Sequence, residues 1–184
     1  MDFDLVIRDG NAVTATEEVF CDIGIKGGSI AAIGKKLPKG EQEIDADGNY
    51  VFPGGIDSHT HSEQLSSSGI MCADDFYTGT VSAAHGGTTT ILSFAAQHKG
   101  DSLRDVISAY HLKAKEKAVI DYGFHLIISD PSESVMQDEL PELIRNGYTS
   151  FKVYMTYDAL RLDDYQMLDV FHLARREGAL MMIH

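Results

Sequence analysis

His59 and His61 stand two residues apart in VFPGGIDSHTHSE, residues 51–63, behind a short apolar run broken by Pro53-Gly54-Gly55. On an extended chain alternate side chains share a face, so both imidazoles would project the same way. Neutral imidazole ligates zinc and neighbouring divalent ions. The same HxH spacing also occurs in ordinary polar strand ends, so the pair needs partners from elsewhere in the chain. Lys152, inside the apolar run SFKVYM, is one candidate. A lysine on a buried strand face is costly unless it is paired or chemically altered. Its pKa would fall there, and the neutral amine could take up carbon dioxide to give an anionic carbamate able to bridge two metals. The alternative is an edge-strand lysine whose ammonium reaches solvent. His184 closes the run ALMMI, and Tyr157 follows shortly after Lys152, where a phenol could donate to a developing oxyanion.

Such residues act together only if the chain delivers them to one place. The first fifty residues are short extended pieces divided by turn chemistry. FDLVIRDG reads as a strand into an Asp9-Gly10 turn, DIGIKGGSIAAIG as two strands joined at Gly27-Gly28, and Asp47-Gly48 as a further turn. Beyond Pro53 the pattern becomes strand, helix, strand. GIDSHTH, TTTILSF, YGFHLII, TSFKVYM and ALMMIH read as strands. DDFYTGTVSAAHGG, SLRDVISAYHLKAKEK, residues 134–145 (in two pieces, with Pro141 near the middle) and DDYQMLDVFHLARREG read as helices. Ser or Asp caps open them and Gly86, Gly147 and Gly178 close them. Asp74-Asp75 and Asp163-Asp164 fit this capping role better than a catalytic one.

Repeated strand–helix units imply a parallel sheet with helices outside it, either open and doubly wound or closed into a barrel. In a barrel, functional side chains converge from the C-terminal ends of several strands. His59 with His61, Lys152 and His184 fall at the ends of the first, fourth and fifth strands, which favours the barrel. His85, His111 and His172 on helices and His125 within a strand read as bystanders, as does His98, although its loop position brings it nearest to substrate.

Composition sets the outer bounds. A chain of 184 residues with 43% hydrophobic and 23% charged residues can build a core. A formal net charge of −13 argues against a nucleic-acid partner. No apolar run is long enough for a bilayer span, and the start MDFD does not read as a secretory leader. Cys21 and Cys72 lack metal-site spacing and read as reduced thiols of a cytoplasmic protein.

Along its whole length the chain resembles the dihydropyrimidinase and D-hydantoinase family of cyclic amidohydrolases. The resemblance rests on the β-rich start, VFPGGIDSHTH, ADDFYTGT, HGGTTTI, SFKVYMTY and ALMMIH. It implies an α/β fold: residues 1–53 as a segment of a small β-sandwich domain, and residues 54–184 as the first half of a TIM-like (β/α)8 barrel. It implies two divalent metal ions, taken as zinc, bridged by N6-carboxylated Lys152. His59 and His61 match the ligands of one metal, His184 a ligand of the other, and Tyr157 the tyrosine that polarises the substrate carbonyl. The implied activity is hydrolysis of the cyclic amide bond of hydantoins or dihydropyrimidines to N-carbamoyl amino acids, in a homotetramer. The alternatives are a sister enzyme acting on another cyclic ureide or imide (an allantoinase, dihydroorotase or imidase) and a non-catalytic assembly protein. The family pattern continues to a further histidine and an aspartate, so the chain is expected to need the remainder of the same barrel. The stretch SEQLSSSGIMC departs from the family, with Ser62, Gln64, Ser66, Ser67 and Ser68 in place of larger apolar residues, and should alter substrate preference.

Overall fold

A computed structural model describes residues 2–66 and 69–184, which form two compact units, Met1–Gly54 and Gly55–His184. Ser67 and Ser68, two of the serines singled out above, lie outside the described residues.

In the first unit, β1 (Phe3–Val13), β2 (Glu18–Lys26), β3 (Ser29–Gly34), β4 (Gly40–Asp45) and β5 (Tyr50–Val51) make one mixed sheet. Its order is β3-β2-β1-β4, with β5 also on β1. β1 runs antiparallel to β2 and parallel to β4 and β5. The Gly27-Gly28 hairpin forms as expected, with both glycines at positive φ. Asp9-Gly10 is not a turn. The strand runs through it, and the β1–β2 register shifts between Ile7 and Gly10, which marks a bulge with Asp9 at φ 51°. Asp22 explains why the chain does not reverse there. Its carboxylate accepts from Asp9 N at 3.1 Å, from Arg8 Nη1 at 3.0 Å and from Leu37 N at 3.0 Å. These donors, the Asp9 amide foremost, hold the Asp22 pKa below the usual carboxylate range. A side chain at position 10 would meet Val51 Cγ2 at 2.7 Å, so glycine is needed beside the bulge.

The second unit strings together β6 (Gly55–Thr60), α1 (Phe76–His85), β7 (Thr88–Ala96), α2 (Leu103–Ala114), β8 (Asp121–Ile127), α3 (Leu140–Arg145), β9 (Ser150–Val153), α4 (Asp164–Glu177) and β10 (Leu180–Ile183). All five strands are parallel, in the order β10-β9-β8-β7-β6. Helices begin where the short polar residues place them: Asp75 caps α1, Ser102 caps α2, and Asp163 with Gln166 forms a full capping box on α4. Gly178 ends α4 at φ 75°. The helical stretch before β9 comes in two pieces: a π-helical turn at Val135–Glu139 runs into α3, where Pro141 has no N–H to extend the α ladder backwards. Among the described residues, no helix is long and apolar enough to cross a membrane.

Strand alternation sorts the sheet's two faces. Ile91, Ala95, Phe124, Leu126, Phe151 and Val153 join the helices in the main core, whereas Phe94, Ile127 and Tyr154 form a separate inner cluster. The loops at the C-terminal strand ends are fixed by Gln97, which is fully buried. Its amide oxygen accepts from Ser129 N and Asp130 N, both at 3.1 Å, and its nitrogen donates to Asp101 O at 2.9 Å and Asp130 O at 3.2 Å. One side chain thus ties the loop after β7, which carries His98, to the end of β8. Gln97→Leu should lower unfolding stability by about 2–4 kcal/mol in urea titrations, since each orphaned buried polar group costs about 1–3 kcal/mol.

On the helical side, His111 packs edge-on to Phe124 and bonds Tyr148 Oη at 2.7 Å. Burial lowers its pKa. Its protonation is therefore easier in the unfolded chain, so its contribution to stability is complete above the ordinary histidine pKa and is lost as pH falls through the depressed value. Stability of His111→Phe relative to the parent should rise as pH drops from 7.5 to 5, as read by urea unfolding across that range.

Candidate metal centre

The parity that sends Phe151 and Val153 to the helices turns Ser150, Lys152 and Tyr154 to the inner face. In register, Ala96, Ile127, Lys152 and Met182 lie side by side across β7, β8, β9 and β10. Lys152 is therefore flanked by aliphatic chains and is only 6% exposed. Its Nζ lies 4.9 Å from the centre of the Phe94 ring and 5.2 Å from that of Tyr154. Among the described residues it makes no ion pair and no carboxylate meets it. An ammonium removed from water costs several kcal/mol, while contacts to two rings return about 0.5–2 kcal/mol each. Burial accordingly lowers the Lys152 pKa, which raises the fraction of neutral, nucleophilic amine.

Phe94 and Tyr154 act as two hubs. The Phe94 ring touches His59 at 4.7 Å, His61 at 5.1 Å and His125 at 5.1 Å between centroids. His59 and His61 are themselves 5.3 Å apart on the same face. The Tyr154 ring touches His184 at 5.2 Å and Tyr157 at 5.8 Å, and these two lie 5.4 Å apart. Lys152 stands between the hubs, so the structure brings together all five residues singled out by spacing. Partial desolvation of its ring lowers the His59 pKa although the residue as a whole is exposed, and the charges of Lys152, His61 and His125 add to this against Asp57. Neutral imidazole is the form that ligates.

Tyr157 has a left-handed backbone, φ 65°, a conformation a bulky residue adopts only when its surroundings impose it. Its carbonyl accepts from Leu160 N at 2.7 Å and Arg161 N at 2.9 Å, which fixes that turn. The phenol borders a cavity of about 560 Å³, shared with His61, Gln64, Cys72, His98 and Leu160. Ser62 is buried and does not line it, so the wall from this loop is more mixed than the serine-rich sequence suggests.

Among the described residues no three His, Cys, Asp or Glu side chains are grouped tightly enough to hold a metal on their own. The donor set fits divalent ions only if Lys152 supplies oxygen. Carboxylation would convert the buried cation into an anion, which the surrounding imidazoles and a metal could satisfy.

His125 has a role that its bland position in a strand did not signal. Its Nε2 donates to Ser58 O at 3.0 Å, which fixes the tautomer, and its Nδ1 then accepts from Ser150 Oγ at 2.6 Å. Ser58 precedes His59 on β6, two strands from β8, so this bond spans β7 across a sheet curled toward a barrel. His125 thereby braces the strand of the histidine pair against the strand of Lys152.

The profile of the amidohydrolase family matches residues 50–184. The chain is 47% identical over 182 residues to the D-hydantoinase of Geobacillus stearothermophilus, covering 97% of this chain and 38% of that protein. It is 45% identical to the D-hydantoinase of Rhizobium radiobacter over 98% of this chain and 39% of the relative. A solved D-hydantoinase structure superposes with a TM-score of 0.94 at 45% identity, covering 99% of this chain and 40% of the other. The dihydropyrimidinase of Brevibacillus agri superposes with a TM-score of 0.92 at 43% identity, covering 97% and 39%. This chain thus spans about two fifths of the length of the relatives it matches.

Replacing His125 by Leu leaves Ser58 O and Ser150 Oγ without partners. Unfolding stability should fall by about 2–4 kcal/mol, and amide exchange should accelerate at β6 and β9 more than at α2.

Proposed function

Because the chain belongs to the amidohydrolase family, within its dihydropyrimidinase and hydantoinase branch, we propose that the protein hydrolyses the ring amide of hydantoins or dihydropyrimidines to N-carbamoyl amino acids. The observation that carries this reading is Lys152, buried without a counter-ion between the His59–His61 pair and His184. His59 and His61 would hold one divalent ion, His184 would contribute to a second, and carboxylated Lys152 would join both. When bound, the metals, taken as zinc, supply Lewis acidity and a water activated near neutral pH.

The chain's own residues do the rest. Lys152, its pKa lowered by burial, offers a neutral amine to carbon dioxide; the new N–C bond forms as the amine proton leaves to solvent. Phe94 and Tyr154 hold this side chain in line with the imidazoles. Tyr157 donates its phenolic hydrogen to the substrate carbonyl oxygen as charge develops there. The cavity bounded by Leu160, Cys72 and Gln64 receives the substituent on the ring and limits access of water. The reading gives residues 1–53 to a small β-sandwich domain and the barrel half to residues 54–184, completed by further strands of a protein as long as the relatives. It also makes the protein a cytoplasmic homotetramer, which the family resemblance supports.

The test is metal content together with ring opening of 5-substituted hydantoins and dihydrouracil, followed by loss of ultraviolet absorbance. The wild-type protein should carry up to two zinc ions and open the ring. Lys152→Ala should lose both properties, with partial recovery on adding a short carboxylic acid. Zinc retention and unchanged turnover in Lys152→Ala would exclude the bridging lysine, and a zinc-free, inactive wild-type protein would favour an assembly role.

A further inference from the structure

Gln64 lies in the stretch where the sequence departs from its family, and its amide oxygen meets His61 Nδ1 at 2.5 Å. A carbonyl oxygen accepts and cannot donate, so the proton of this contact belongs to the imidazole. Neutral His61 then carries N–H at Nδ1 and a free lone pair at Nε2. The ring lies stacked on Phe94, with an interplanar angle of 18°.

Gln64 is in turn held by its own loop. Its carbonyl accepts from Cys72 N at 3.0 Å, closing the loop across its base. The preceding residue, Glu63, donates its N–H to Asp74 O at 2.9 Å and has φ 48°. Lys113 Nζ donates to Glu63 O at 3.1 Å, and Lys117 Nζ pairs with the Glu63 carboxylate at 2.7 Å. Two lysines of the α2 region thus moor the residue next to Gln64, and the amide reaches His61 from an anchored backbone.

We infer that Gln64 is the positioning residue of His61: it fixes the imidazole with Nδ1 protonated and presents Nε2 for ligation. The inference rests on the metal reading above and assigns to this protein's divergent loop a part in metal affinity, in addition to lining the cavity. Outer hydrogen-bond partners of ligating histidines set ring orientation and basicity, and their loss weakens metal binding about 10–100-fold. Glutamate at position 64 keeps an acceptor at the same reach; methionine keeps the length and removes it.

The experiment strips metal from the full protein and titrates zinc against a chromophoric chelator in wild type, Gln64→Met and Gln64→Glu. Nitrogen-15 NMR of the histidines in the metal-free proteins reads the His61 tautomer. Gln64→Met should bind its first zinc about 10–100-fold more weakly and show a mixed His61 tautomer, while Gln64→Glu keeps both the affinity and the Nδ1–H form. Equal zinc affinity in wild type and Gln64→Met, or an Nε2–H tautomer in wild type, would overturn the role of Gln64 and leave the metal reading standing. A wild-type protein with the Nδ1–H tautomer that binds no zinc would overturn the metal reading and the ligating role of His61 with it.

Discussion

A lysine side chain held inside a sheet, with no anion beside it among the described residues, is the constraint on which the inner face of this protein depends. Lys152 sits between Ile127 and Met182 in register and beneath two aromatic rings. Aliphatic flanks cannot stabilise its charge, and ring quadrupoles do so only in part. The strand could have carried an apolar residue there without loss of packing. What the lysine adds is an amine whose pKa burial lowers, and the two rings over it, Phe94 and Tyr154, are the ones that the imidazoles and the Tyr157 phenol also touch. The arrangement is poor as a structural core and well suited to forming an oxygen-rich bridge.

The rest of the second unit serves this placement through alternation. One face of β7, β8 and β9 gives Ile91, Phe124 and Phe151 to the helices, and the opposite face gives Phe94, His125 and Lys152 to the interior. His125 converts a flat neighbour relation into a curved one by reaching past β7 to Ser58. Gln97 does comparable work one layer higher, where it joins two loops at the C-terminal strand ends. Both are buried polar groups with every bond satisfied, the condition under which such groups add rigidity.

Much of this was legible in the sequence because period-two alternation is a strong signal. The HxH pair and Lys152 declared their faces by spacing, and Asp75, Ser102 and Asp163 declared the helix starts by their chemistry. The two-piece helix around Pro141 was equally open to reading. Spacing puts Tyr154 on the same face as Lys152, but neither Tyr154 nor Phe94 was recognisable as a hub, since the rings each meets come from other strands and loops. His125 looked like a bystander for the same reason: its worth depends on a carbonyl in a strand 67 positions away. Asp9-Gly10 was misread as a turn because the same dipeptide serves a bulge, and only the distant Asp22 decides between them. The polar composition of the loop after His61 was visible, but the contact of Gln64 with His61 was not, because it depends on how α2 moors that loop.

Whether Lys152 becomes a carbamate can be read by carbon-13 NMR of the zinc-loaded protein equilibrated with labelled bicarbonate. A carbamate carbon signal should appear in the wild type and be absent from Lys152→Ala. A wild-type protein that binds zinc and shows no carbamate signal would rule out carboxylated Lys152 as the bridge.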